Sequence, residues 1–116
     1  MHRFKDLEIW KQSRVFCSDI YRITSKFPDE EKFGITNELR RASISIPSNI
    51  AEGSSRSSNK EFCRFLEFGI GAAYEVQTQL LISADIGFLN NDDMDNTIEK
   101  ITSIIKMMVK FKSTLK

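Results

Sequence analysis

The chain has 116 residues, of which 41% are apolar and 28% charged, the profile of one ordinary globular domain spanning residues 1–116. Its net charge of +1 gives no bulk argument for a nucleic-acid partner. No apolar run approaches the ~20 residues that span a bilayer and no apolar signal core follows Met1, so a cytoplasmic protein without a membrane role is expected; two cysteines and no CxxC argue against a disulfide scaffold or a metal site.

The first helix is predicted from about Lys5 to about Lys26. Phe16, Ile20, Ile23 and Phe27 fall on one helical face, and Trp10, Cys17, Tyr21 and Thr24 form an adjacent stripe. Phe27-Pro28 ends it, because a residue before proline is pushed out of the α region. The second helix is predicted from near Gly34 to Gly53, the latter read as a C-terminal glycine, with Ile35, Leu39, Ala42, Ile46 and Ile50 as its buried face. Pro47 lies inside this pattern. It removes the hydrogen bond to the Ser43 carbonyl and predicts a kink, with Ser43, Ser45 and Ser48 as candidates to satisfy the freed backbone groups.

A serine-rich loop follows, and Ser58-Asn59-Lys60-Glu61 reads as a capping box opening a third helix that runs to about Gly87. Phe62, Phe65, Leu66, Gly69, Ala72, Ala73, Val76 and Leu80 make its predicted buried side. Glycine weakens a helix by about 1 kcal/mol relative to alanine, so Gly69 and Gly71 point to close approach of a neighbour. Asn90 or Asn91 caps the fourth helix, which carries Asp92, Asp93 and Asp95 early and Lys106, Lys110, Lys112 and Lys116 late, both matched to the helix dipole. Ile98, Ile101, Ile105 and Met108 continue its apolar face. Four helices of about 20 residues with short links predict an all-α fold, an antiparallel up-down-up-down four-helix bundle with helix 2 kinked at Pro47.

Antiparallel order would gather residues 1–14, 46–71 and 104–116 at one end. That set holds eleven basic residues against five acidic ones, so the near-neutral total conceals a basic end and an acidic one. A basic end could hold phosphates with salt-dependent affinity, or merely match helix dipoles and keep the surface soluble.

Catalysis has no positive feature. The one histidine, His2, falls at an end expected to be mobile, and neither a glycine-rich phosphate loop nor a Glu-x-x-His motif occurs. No catalytic residue, metal ligand, cofactor or small-molecule substrate is therefore assigned. Cys17 and Cys63 are expected about 10 Å apart in height along the bundle, too far to bridge, and hence reduced and packed. The aromatic residues could stack on bases, but at helical spacing they are read first as core. Apolar residues on more than one stripe are the exception: Ile9 with Trp10, Phe65 with Leu66 and Phe68, and Leu80 with Leu81 and Ile82. They are read as a subunit interface.

The stretch Leu39-Arg40-Arg41-Ala42-Ser43-Ile44-Ser45-Ile46-Pro47-Ser48-Asn49-Ile50-Ala51-Glu52-Gly53 resembles the signature of bacterial four-helix bundle proteins encoded in intervening sequences of 23S ribosomal RNA genes. Phe4 to Trp10, Phe27-Pro28 with the acids and Phe33-Gly34, Ser58 to Leu66, and Gly71 with Glu75 resemble the same family. The resemblance implies a ring-forming homo-oligomer, commonly a pentamer, and kinship with the accessory protein of diversity-generating retroelements, whose basic pore is associated with nucleic acid. Arg40, Arg41, Asn49, Glu52, Gly53 and Arg56 match the signature by position. Ala72 departs from it, since serine usually follows the glycine matched by Gly71.

Two roles compete for Asn49 and Glu52. They hydrogen-bond backbone groups freed by Pro47 or bridge to an arginine, or they belong to a polar, basic lining for RNA or DNA. The expected function is a non-enzymatic homo-oligomer binding RNA or DNA through Arg40, Arg41, Arg56, Lys60 and Arg64. The alternative is an oligomeric adaptor or structural protein with no nucleic-acid role.

Overall fold

The computed structural model describes residues 2–115. Lys116, counted above in the basic end, lies outside the described residues. Four helices make the fold: α1 (Glu8–Thr24), α2 (Ile35–Ser54), α3 (Asn59–Asp85) and α4 (Asn91–Ser113), with no strand among the described residues. They pack as a four-helix bundle of 44 × 24 × 20 Å. None is long and apolar enough to cross a membrane.

The helix signals act where hydrogen-bond chemistry places them. Ser58 Oγ accepts the Glu61 N–H at 3.2 Å, and Asn90, not Asn91, caps α4 by accepting the Asp93 N–H at 2.7 Å. α3 stops at a left-handed glycine: Gly87 has φ +85°, its N–H bonds the Ala84 carbonyl, and the Phe88 N–H bonds the Ser83 carbonyl. This paired closure uses the carbonyls that a helix end would otherwise leave open. α1 begins later than the sequence pattern suggests. Phe4–Asp6 is a 3-10 turn, and extended Leu7 (φ −78°, ψ 128°) separates it from α1.

The predicted faces form the core. Phe16, Ile20, Ile23 and Phe27 are buried against Leu39, Ala42, Ile46 and Ile50 from α2, with Leu66, Ala73, Val76 and Leu80 from α3. α4 adds Ile101, Ile105 and Met108, and also Ile104, which the stripe had missed; Ile35 and Ile98 are only part-buried. Residue numbers rise along one helix as they fall along the next. Cys17 meets Ser43 and Thr24 meets Arg40; Gly53 lies against Phe62 and Gly69 against Asn49; Cys63 reaches Lys112 and Gln77 reaches Thr102.

Three expectations are corrected. Gly53 is not a left-handed terminator. Its φ is not positive and α2 continues to Ser54. A Cβ at Gly53 would stand 2.8 Å from Phe62 Cδ1 and from Phe65 Cβ, so this glycine lets α3 approach. At Gly69 a Cβ would meet the tip of the Met108 side chain at 2.8 Å, with Asn49 Cβ and the Ile46 carbonyl in ordinary contact at 3.6 Å. A Cβ at Gly71 would meet nothing within 4 Å.

The second correction concerns which group answers Pro47, a proline inside α2. The carbonyl it deprives, that of Ser43, receives the Cys17 thiol of α1 at 3.2 Å. Neither the neighbouring serines nor Asn49 fill that role. Ser43 Oγ donates to the Arg40 carbonyl at 2.9 Å, and Asn49 Nδ2 donates to the Ser45 carbonyl at 2.8 Å and to Ser45 Oγ at 3.0 Å.

The third is His2. It packs edge-on against Phe62 and Phe111, with ring centroids 5.3 and 5.7 Å away, so aromatic contact anchors an end that the sequence leaves loose. Both cysteines are free thiols.

Candidate functional site

The groove between α2 and α3 gathers much of the polar signature. Arg41, Ser45 and Asn49 line it from α2, and Glu67, Phe68, Gly71 and Glu75 from α3, around an open volume of about 660 Å³. Arg41, Ser45 and Asn49 are spaced four positions apart, which stacks them on one face of α2. Gly71 leaves the opposite wall without a side chain. The groove is mixed in charge, since Glu38, Glu67 and Glu75 share it with one arginine. Glu67 also lies 3.7 Å from Lys112 Nζ.

Arg40 turns away from this groove. Its Nε donates to Thr24 Oγ1 at 2.9 Å, a second nitrogen reaches the Tyr21 carbonyl at 3.4 Å, and the guanidinium lies 4.4 Å from the Tyr21 ring centroid. Thr24 is buried and itself donates to the Ile20 carbonyl at 2.7 Å. Arg40 thus holds the last turn of α1 to α2, where a cation also suits the helix dipole. Adjacent arginines in the sequence therefore have different surroundings, because successive helical residues point about 100° apart.

The remaining basic candidates meet at the start of α3. Arg56 pairs with Glu52 at 3.1 Å, and its guanidinium lies 4.6 Å from the Phe65 ring centroid. Arg64 lies 5.7 Å from the Phe68 centroid, and Phe65 and Phe68 meet edge to face at 5.8 Å. Lys60 is exposed one turn before Arg64. A chain of rings thus links Arg56 to Arg64, and Phe68 carries it into the groove beside Arg41. Of the five basic candidates, four adjoin this band and Arg40 does not. Glu52 belongs to it through Arg56, and Asn49 through the groove.

Two participants are not evident from the sequence. Tyr21 falls on a predicted helix stripe, yet it is 43% exposed and serves as the platform for Arg40. Cys17, expected only to pack, is the second. The signal that could have found it is Pro47, whose missing N–H requires a donor from outside α2. Burial raises the Cys17 thiol pKa above its ordinary value near 9, and the Ser43 side-chain hydroxyl, not its carbonyl, opposes this more weakly.

The apolar second stripes divide. Ile9, Leu66 and Leu80 are buried in the core, whereas Phe68, Leu81 and Ile82 are 50%, 48% and 45% exposed on α3. Among the described residues no cluster of three or more His, Cys, Asp or Glu is placed to hold a metal ion.

A crystal structure of a protein with unknown function from the S23 ribosomal protein family of Bacteroides thetaiotaomicron VPI-5482 has the same fold. It aligns with a TM-score of 0.83 over 90% of this chain and 97% of that one, at 20% identity. No curated protein sequence matches the chain. The family described as 23S rRNA-intervening sequence protein matches residues 5–110. That match takes in all four helices except the last turn of α4, and the chain belongs to the 23S rRNA-intervening sequence protein family.

Proposed function

We propose that this chain is a non-enzymatic, homo-oligomeric protein that binds RNA or DNA through basic residues at the start of α3. The observation that carries this reading is the band Arg56–Phe65–Phe68–Arg64 with Lys60 beside it. A guanidinium laid on an arene keeps its edge donors available, and planar cations beside aromatic faces suit phosphates and bases together. Self-association is supported by Leu81 and Ile82 of α3, adjacent apolar side chains that the monomer leaves about half exposed. The pentameric ring is the assembly that the family resemblance suggests.

The three carboxylates of the α2–α3 groove favour a second reading, an oligomeric adaptor with a protein partner and no nucleic-acid role.

Light scattering and fluorescence anisotropy with a labelled mixed RNA pool, at 50 and 200 mM salt, separate the two. The proposal expects an oligomer that binds at the lower salt and releases at the higher one. Because each phosphate contact on a single strand contributes about −0.7 to the slope of log K against log salt, an R56A/K60A/R64A variant should flatten that slope by about 2. An oligomer indifferent to RNA at 50 mM salt would favour the adaptor, and a monomer would remove the self-association half of the proposal.

A further inference from the structure

Trp10 is the only tryptophan in the chain, and it is half-buried at the edge of the bundle. With Lys5, Lys11 and Arg14 it lines an open concavity of about 700 Å³, and these four residues are its whole lining. Three cations and an indole therefore face one space with no carboxylate among them.

The nearest acids on the same stretch are engaged elsewhere. Asp6 pairs with Arg3 at 3.5 Å. Glu8 accepts a hydrogen bond from Gln12 at 3.2 Å and lines a separate apolar cavity with Leu7 and Met107. Lys5, Lys11 and Arg14 are exposed and form no ion pair among the described residues.

The indole is braced rather than loose. Phe4 meets it edge-on at 5.1 Å and the Arg14 guanidinium stands 5.3 Å from its centroid. An immobilised flat ring loses little further entropy when another ring stacks on it, and Arg14 adds a second flat surface. Three exposed cations line this one concavity and none of them is in an ion pair among the described residues, which favours an anionic occupant.

We propose that this concavity receives one nucleotide of a single-stranded polynucleotide, the base against Trp10 and the adjoining phosphates on Lys5, Lys11 and Arg14. The assignment rests on the nucleic-acid reading above and gives it a second contact surface, on α1 rather than at the start of α3. Stacking on an aromatic is tolerant of sequence and phosphate contacts carry no base information, so this surface would bind without strong base preference.

The lone tryptophan supplies the assay. The full chain is titrated with a 12-nucleotide uridine RNA and with a 12-nucleotide deoxyuridine DNA, each labelled for anisotropy. Trp10 emission is recorded in the same samples, and inorganic tripolyphosphate serves as the base-free probe. Expected results are quenching of Trp10 by the oligonucleotides and competition without quenching by tripolyphosphate. In a K5A/K11A/R14A variant of unchanged helicity, affinity at 50 mM salt should fall at least about tenfold, and the salt slope should flatten by about 2. RNA and DNA acting alike would fit contacts to base and phosphate, whereas an RNA effect absent with DNA would show recognition of the 2′-hydroxyl instead and overturn the site as described.

Binding seen by anisotropy with Trp10 emission unchanged and the triple variant unimpaired would overturn this site while leaving the α3 band standing. Loss of affinity in the variant without quenching in the parent would overturn the base contact. Absence of any binding at 50 mM salt would overturn both the site and the reading on which it rests.

Discussion

The contact between Cys17 and the Ser43 carbonyl lends itself to a double-mutant cycle with Pro47. Ser43 is fully buried, and its carbonyl has no N–H from position 47 to accept, so the thiol at 3.2 Å is its replacement donor. Cys17→Ala removes that donor and leaves a buried acceptor unpaired, which costs about 1–2 kcal/mol, and the lost sulfur packing adds up to about 1 more. Pro47→Ala restores the helical N–H, and it should stabilise the chain by about 1 kcal/mol or more, since proline is the poorest residue for a helix interior. In the Pro47→Ala background, Cys17→Ala should then cost only its packing, about 0.5–1 kcal/mol. The coupling energy is therefore about 1 kcal/mol. Cys17→Ser keeps a donor and should recover much of the loss.

Urea unfolding followed by far-UV circular dichroism gives the four free energies at constant m. Additive effects, with Cys17→Ala equally damaging in both backgrounds, would refute the pairing. A rise in stability for Cys17→Ala in the parent chain would refute it as well.

Further predictions follow from other sites. The raised Cys17 pKa means that above about pH 9 the unfolded chain sheds this proton more readily than the folded one, so stability should be unaffected by Cys17 below that pH and decline above it; urea midpoints across pH 7–10.5 should show this decline reduced in Cys17→Ser. Arg40→Ala should cost about 1–2 kcal/mol through loss of its contacts with Thr24 and Tyr21, whereas Arg41→Ala should stay within about 0.5 kcal/mol; thermal melts of the pair check this. Gly53→Ala should cost about 1–3 kcal/mol, because the atom crowded at 2.8 Å includes the Cβ of Phe65 and α3 must shift. Gly71→Ala, meeting nothing within 4 Å, should raise the stability of the isolated chain by about 1 kcal/mol, as read by urea unfolding at dilute concentration.

Much of the fold is legible in the sequence because it depends on local chemistry. Helix period places Phe16, Ile20, Ile23, Leu39, Ile46 and Ile50 in the core, and the acceptor side chains of Ser58 and Asn90 mark helix starts. Glycine is less transparent, because its residue type does not reveal why a side chain is missing. Gly87 supplies a left-handed turn, Gly53 and Gly69 admit neighbours, and Gly71 does neither. The candidate site is harder still. Arg40 and Arg41 are equal in a sequence, and their separation depends on which side of α2 faces α1. The Cys17–Ser43 contact joins residues 26 apart and becomes visible only once two helices are docked. Likewise Lys5, Trp10, Lys11 and Arg14 look like scattered surface residues until the 3-10 turn brings Lys5 back toward α1.

Pro47 and Gly71 are the two helix-interior residues that oppose helix formation most plainly without serving an intrahelical purpose. They differ in where the compensation lies. For Pro47 it is inside the chain: the orphaned carbonyl receives a thiol, and the buried Ile46 and Ile50 hold the surrounding turn in the core. For Gly71 the chain offers none. Gly53 and Gly69 each have a neighbour that a methyl group would strike at 2.8 Å, while Gly71 opens onto the α2–α3 groove and adjoins exposed Phe68. A sequence whose local choices otherwise agree with its fold is expected to break a local rule where function requires it. The missing side chain at Gly71 leaves room in that groove which nothing in the monomer fills.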